Sequence, residues 1–98
     1  MSKASTKEYS IEAYLVKRVR ETGGMALKGD TPGRRFLDRI CILPDGVTLY
    51  VEVKRPKGGR ATAHQLETMR RLKALGHLVA LVKTTGEIDD LLRPFTDR

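Results

Sequence analysis

Glu52 and Lys54 lie two residues apart near the end of an apolar run. An acid and a base at this spacing could act together in catalysis. Side chains at positions i and i+2 of a β-strand leave the same face. Glu52 and Lys54 therefore face one way, while Val51 and Val53 face the other. Because unpaired buried charge is costly, an acid and a base at the end of a buried strand indicate a functional site.

Asp38 is the second acid that the strand pattern brings to this place. If Pro44–Gly46 forms a three-residue hairpin loop with its glycine in the left-handed region, counting back sets Asp38 opposite Glu52. A two-residue turn would put Asp38 on the wrong face. Opposed residues have Cβ atoms roughly 4.5–5.5 Å apart, and two carboxylates that close repel each other. We therefore expect Mg²⁺ or Mn²⁺ between them, with the Val53 carbonyl as a further oxygen ligand.

Two predicted helices could complete this site. An apolar stripe at helical spacing predicts a helix from about Lys7 to Glu21. Glu12 borders the stripe and Glu8 lies one turn before it, and either could serve the site or be an ordinary exposed partner of a basic residue. A second helix opens at Thr62, so that Gln65 could lean toward the sheet or close a capping box.

The remaining pattern predicts a single α/β domain over residues 1–98, with residues 1–6 disordered. A small mixed sheet flanked by helices is expected. Its strands are Met25–Lys28, Phe36–Leu43, Val47–Lys54 and Leu78–Lys83, and the last helix, Thr85–Arg93, should end before Pro94. The stripe that should pack the second helix on the sheet is Leu66, Met69, Leu72 and Leu75.

The composition limits the class of protein. A net charge of +7 among 98 residues points to a polyanionic partner, nucleic acid first. No apolar run approaches the roughly 20 residues of a membrane span. The single cysteine, Cys41, excludes a zinc–cysteine site and suits a reducing, cytoplasmic compartment. The basic residues expected to hold DNA are Lys28, Arg34, Arg35, Arg39, Arg55, Lys57 and Arg60.

The order helix-Glu, Asp, hairpin to Glu-x-Lys and helix-Gln resembles the PD-(D/E)xK nuclease superfamily. More narrowly, it resembles the virus-type replication-repair nuclease (VRR-NUC) domain. The matching stretches are Ile11–Val19 through Gly23-Gly24, Lys28–Arg39, Val51–Lys54 and Gln65–Gly76.

The resemblance implies a restriction-endonuclease-like αβββαβ core and a Mg²⁺- or Mn²⁺-dependent DNA endonuclease. It also implies that Asp38 and Glu52 bind the metal, that Lys54 assists the attacking water, and that Gln65 and a first-helix glutamate complete the site. Stand-alone members of the family are similar to phage-borne, dimeric nucleases selective for branched or four-way DNA. A homodimer is therefore expected.

One departure from the family pattern concerns the residues before the metal-binding acid. The family usually shows Gly-x-Pro-Asp, and here the residues are Phe36-Leu37-Asp38. Either Asp38 keeps its place through a different turn, or metal binding is weakened. The alternative function is a non-catalytic nucleic-acid-binding module with the nuclease fold. A plain interaction domain, with Glu52 and Lys54 as a surface ion pair, is the third.

Overall fold

The computed structural model describes residues 3–30 and 36–96, with side chains from Glu8 onward. In chain order the elements are helix α1 (Lys3–Glu21), strands β1 (Met25–Lys28) and β2 (Arg39–Leu43), the loop Pro44–Gly46, strand β3 (Val47–Val53), helix α2 (Ala63–Ala74), strand β4 (Leu78–Val82) and helix α3 (Thr85–Thr96). The element order and the α/β class agree with the sequence prediction.

The strands form one four-stranded sheet in the order β1-β2-β3-β4. The first two pairings are antiparallel and the third, between β3 and β4, is parallel. Parallel neighbours need a crossover connection, and α2 supplies it. The mixed sheet predicted from the sequence is confirmed.

The β2–β3 hairpin has the predicted loop and register. Leu43 pairs with Val47, and Arg39 pairs with Val51. The loop turns through two left-handed residues, Asp45 at φ 65° and Gly46 at φ 75°, which aspartate tolerates better than most residues and glycine adopts freely. The next position before Arg39 is Asp38, which therefore lies opposite Glu52.

The core lies between one face of the sheet and helices α1 and α3. The predicted α1 stripe is buried at Ile11, Leu15 and Val19, and the α3 side chains Ile88 and Leu92 are fully buried beside it. From the sheet the same cluster includes Cys41, Leu43, Leu49, Val51, Val53 and Val82. The alternation within β3 thus leaves Glu52 on the opposite face of the sheet.

The strand predicted over Phe36–Leu43 begins only at Arg39, because β1 ends opposite that residue at Lys28. Two helix boundaries also differ from the prediction. Helix α1 begins at Lys3 rather than Lys7, so residues 3–6 of the segment expected to be disordered are helical, and residues 1–2 lie outside the described residues. Helix α3 continues through Pro94 to Thr96. The φ that a proline ring imposes is compatible with a helix, and Pro94 is followed by only two further helical residues.

The predicted apolar stripe of α2 is also wrong in part. Met69 is buried, but Leu66 is 55% exposed and Leu75 is 75% exposed. Helix α2 packs mainly against β4, the last strand of the sheet, which is too narrow to cover the whole stripe. Among the described helices, none is long and apolar enough to cross a membrane.

Candidate active site

Asp38 and Glu52 are joined where the β2–β3 ladder ends. The backbone N–H of Asp38 donates to Glu52 Oε1 at 3.1 Å, and the backbone N–H of Val53 donates to Asp38 Oδ2 at 2.8 Å. These two bonds extend the pairing beyond Arg39 and Val51 with side-chain acceptors. The structure therefore brings both predicted acids together, and their catalytic roles stay predictions.

Lys54 lies directly against the buried glutamate. Its Nζ is 2.9 Å from Glu52 Oε2, and the Glu52 side chain is 1% exposed. The ammonium and the carboxylate form an ion pair, and no other donor among the described residues reaches Oε2. Because a buried carboxylate needs compensating positive charge, this oxygen is suited to a further cationic ligand.

The pKa of both carboxyl groups is raised, and burial is the largest cause for each. Burial raises the pKa of Asp38, an effect that the N–H of Val53 partly offsets and the nearby charge of Glu12 reinforces. Burial also raises the pKa of Glu52, which Lys54 lowers and the charge of Asp38 raises again. A cation between the two acids would relieve both the desolvation and the mutual repulsion.

Glu12 reaches this region through Arg39. Arg39 Nε donates to Glu12 Oε2 at 2.7 Å, and Nη1 donates to the carbonyl of Ala26 at 3.1 Å. The Glu12 carboxylate lies near enough for its charge to raise the pKa of Asp38, which favours Glu12 over Glu8 as the first-helix acid. The Arg39 side chain is 15% exposed and its guanidinium positions Glu12, while its role in holding DNA stays a prediction.

Gln65 forms the capping box. Its Oε1 accepts the backbone N–H of Thr62 at 2.9 Å, and its own N–H donates to Thr62 Oγ1 at 3.1 Å. These bonds satisfy two amide groups at the start of α2. The capping role is confirmed, and a role for Gln65 in the site stays a prediction.

A different turn from the family pattern holds Asp38 in place. Leu37 is fully buried, and the Phe36 ring stands edge-on to Tyr50 with centroids 5.7 Å apart. Gly29 N–H donates to the carbonyl of Asp38 at 3.1 Å, and an added Cβ at Gly29 would lie 1.8 Å from the Leu37 carbonyl oxygen. An apolar anchor and a close glycine thus take the place of Gly-x-Pro.

The residues predicted to bind DNA lie in more than one part of the structure. Lys28 is exposed at the end of β1, opposite Arg39. Lys57 and Arg60 are exposed in the loop after β3, where Arg55 Nε donates to the carbonyl of Lys57 at 3.0 Å. Arg34 and Arg35 lie outside the described residues.

The donor set fits a hard divalent cation that keeps several waters. Within residues 3–30 and 36–96 no three His, Cys, Asp or Glu side chains converge on one point. Asp38 and Glu52 supply two carboxylates, and the Val53 N–H points toward β2. In an antiparallel pair, the N–H and C=O groups of one residue point toward the same neighbouring strand. The Val53 carbonyl therefore also points toward β2. Mg²⁺ is held in this way, by one or two carboxylates and water.

Asp30 was not found from the sequence. Its Oδ1 accepts the backbone N–H of Phe36 at 2.9 Å, and its charge adds to the rise in the pKa of Asp38. An acid after a glycine in a predicted turn carries no periodic signal, so only the folded chain shows its position.

The comparisons with known proteins agree with this fold. Over 77 residues the chain is 47% identical to "Putative nuclease p44" of Acyrthosiphon pisum secondary endosymbiont phage 1, a match that covers 78% of this chain and 82% of that protein. A solved structure described as "VRR_NUC domain" superposes with a TM-score of 0.82 at 32% identity, covering 89% of this chain and 95% of that one. The chain belongs to the VRR-NUC family. No protein-family model matches it. Membership of the VRR-NUC family supports a nuclease.

Proposed function

We propose that this VRR-NUC chain is a Mg²⁺- or Mn²⁺-dependent endonuclease that hydrolyses phosphodiester bonds in branched or four-way DNA, in replication, recombination or repair. The observation that carries the proposal is Glu52. It is fully buried, its Oε1 is bonded to the Asp38 backbone, and its Oε2 is met only by the ammonium group of Lys54 among the described residues.

Asp38, Glu52 and the Val53 carbonyl are the groups that would hold the metal. When bound, such an ion lowers the pKa of a coordinated water and stabilises charge that develops on the phosphate. Hydrolysis needs a water oxygen to bond to phosphorus while the bond from phosphorus to a sugar oxygen breaks and that oxygen gains a proton.

The side chains around these ligands have separate tasks. The ammonium of Lys54 can donate a hydrogen bond to the attacking water or to a phosphate oxygen. Glu12, fixed by Arg39 at 2.7 Å, is the nearby acceptor that can orient or deprotonate a water. Gln65 can align the substrate with its amide.

The polyanion would be held by the basic residues near this sheet end. Lys28 ends β1 and lies beside Arg39, while Lys57 and Arg60 are exposed in the loop that follows Lys54. In the sequence, Lys28 therefore precedes the candidate metal ligands, and Lys57 and Arg60 follow them. Binding should weaken steeply with salt, because phosphate contacts release counterions.

A homodimer would place two such sites on one DNA molecule, as cutting two strands together requires. Exposed apolar side chains support this proposal. Met25, Leu27 and Ile42 are 53%, 45% and 37% exposed, and the β1–β2 register puts them on one face. Light scattering should give twice the monomer mass, and Leu27→Glu should return the monomer.

A reducing cytoplasmic compartment suits the buried free thiol of Cys41.

The deciding experiment is cleavage of linear, flapped and four-way DNA in Mg²⁺, Mn²⁺ or EDTA. Cleavage should need metal and be lost in Asp38→Asn, which keeps the shape of the side chain. The control, Asp90→Asn, removes an acid that pairs with Arg93 on the exposed side of α3 and should cut normally.

The alternative function, a non-catalytic nucleic-acid-binding module, predicts a different result in this assay. The altered turn before Asp38, Phe36-Leu37, favours it as the second candidate. A non-catalytic binding module would bind these DNAs with the same salt dependence, yet cut none of them in either metal. That result would overturn the proposed endonuclease.

A further inference from the structure

Helix α1 has a second face that the core does not use. Tyr9, Ala13, Val16 and Arg20 recur at helical spacing and line a groove of about 340 Å³ between α1 and the first two strands. Tyr9 is 73% exposed at this groove. The face therefore offers an aromatic ring and a small apolar floor to a ligand.

The groove is also rich in cations that have no acidic partner. Lys17, Arg20 and Lys28 line it and are exposed, and no carboxylate of residues 8–30 and 36–96 pairs with them. Arg18 on the same helix, by contrast, pairs with Glu21 and Asp89. The groove has an acid of its own, Glu12, which Arg39 neutralises at 2.7 Å.

We propose that this groove binds an unpaired DNA strand, with Lys17, Arg20 and Lys28 on its phosphates and a base stacked on Tyr9. A positively charged groove with an exposed aromatic ring is the arrangement that proteins use for single strands. A volume of about 340 Å³ is at the lower end for ligand pockets, which suits a nucleotide-sized unit and not a duplex.

The groove lies at the same end of the sheet as the candidate active site, although Lys28 and Arg39 face α1 while Asp38 and Glu52 belong to the opposite face. Lys28 pairs with Arg39 across the β1–β2 ladder, and Asp38 precedes Arg39. Strand β1 lies two strand spacings from β3, roughly 10 Å. Glu12 belongs to both places, since it lines the groove and its charge acts on Asp38. The inference deepens the proposed function, on which it rests, by favouring branched DNA that carries an unpaired strand, such as a flap, over a fully paired four-way junction.

Salt-dependent binding in EDTA tests the phosphate contacts without cleavage. For a fluorescent single-stranded oligonucleotide, the slope of log K against log salt should become shallower by about 1.4 in Lys17→Ala/Arg20→Ala, since each lost contact contributes about 0.7. The control, Arg71→Ala/Lys73→Ala, removes two exposed charges from α2 and should keep the wild-type slope. Circular dichroism confirms that each variant is folded.

Stacking is tested with a matched pair at the aromatic position. Tyr9→Ala should weaken single-strand binding about tenfold, within the range for one stacked base, while Tyr9→Phe keeps the ring and should bind as the wild type does. Binding to a blunt duplex should change little in either variant.

The outcomes separate the groove from the nuclease. Wild-type slopes in Lys17→Ala/Arg20→Ala, an equal change in the α2 control, or equal losses in Tyr9→Ala and Tyr9→Phe would overturn the groove proposal. Metal-dependent cleavage by the wild type would then still support the endonuclease. A groove confirmed in EDTA, in a protein that cuts no DNA, would instead overturn the endonuclease alone.

Discussion

Glu52→Gln should stabilise the metal-free protein at neutral and alkaline pH, although it removes the partner of an ion pair. Glu52 is fully buried, and burial raises its pKa more than Lys54 lowers it. Folding therefore disfavours the charged form of this side chain relative to the unfolded chain. Glutamine supplies nearly the same shape without the charge, and it also removes the repulsion from Asp38.

The pH dependence follows from the direction of the shift. Because the folded state binds this proton more tightly than the unfolded state, stability is greatest below the ordinary glutamate pKa and falls as pH rises through the folded pKa. Each pKa unit corresponds to about 1.4 kcal/mol. A change of 1 kcal/mol moves the melting temperature of a domain this size by about 4–8 °C. The advantage of Glu52→Gln should be present at pH 8 and nearly absent at pH 4.

Thermal and urea unfolding in EDTA measure this difference. The control is Glu67→Gln, because Arg70 lowers the pKa of that exposed acid. Its charge therefore contributes stability above the ordinary pKa that is lost as pH falls, and the variant should be no more stable than the wild type at pH 8. Mn²⁺ at 100 times its Kd should add about 2.7 kcal/mol to the wild type and little to Glu52→Gln.

The reasoning has a clear refutation. If Glu52→Gln is less stable than the wild type at pH 8 in EDTA, the Glu52–Lys54 pair is a stabilising structural contact. The interaction-domain alternative would then gain support. A melting temperature unchanged by Mn²⁺ in the wild type would separately contradict the metal site.

Three further outcomes are expected. Lys54→Ala should lose cleavage yet bind Mn²⁺ at least as tightly by calorimetry, because a competing cation 2.9 Å from a ligand oxygen is removed; joint loss of both would contradict this. Gly59→Ala should melt several degrees lower than the wild type, since an added Cβ would lie 2.4 Å from the Arg55 carbonyl oxygen. At Gly86 the nearest atom to an added Cβ is 3.9 Å away, so the control Gly86→Ala should melt as the wild type does. Burial raises the pKa of Cys41 to about 12, so a thiol reagent at pH 8 should modify it only in urea; rapid labelling of the native protein would show that the core opens.

The hairpin was predictable because its signals are local. A proline, an aspartate and a glycine between two apolar runs indicate a tight loop at Pro44–Gly46. Its length of three residues, which the structure confirms, then places Asp38 against Glu52 through the two-residue period of a strand. The capping box at Gln65 was equally readable, since its two bonds join residues three positions apart.

The errors and omissions depend on contacts distant in sequence. The stripe of α2 predicted burial of Leu66 and Leu75, but a periodic pattern does not state how wide the opposing surface is. The pairing of Arg39 with Glu12 spans 27 positions, and two charges so far apart show no sequence relation. The groove of α1 was missed because its stripe of Tyr9, Ala13, Val16 and Arg20 mixes apolar and polar side chains and so carries a weaker periodic signal than the core stripe.

The five residues of β2 set the distance between the hairpin loop and Asp38. One residue inserted within β2 would turn Asp38 to the α1 side of the sheet. Two would restore its side but displace it by about 7 Å, beyond the N–H of Val53. Length changes before Asp38, or in the loop with the register kept, leave the spacing intact. In this hairpin the number of residues, and not only their chemistry, specifies the site.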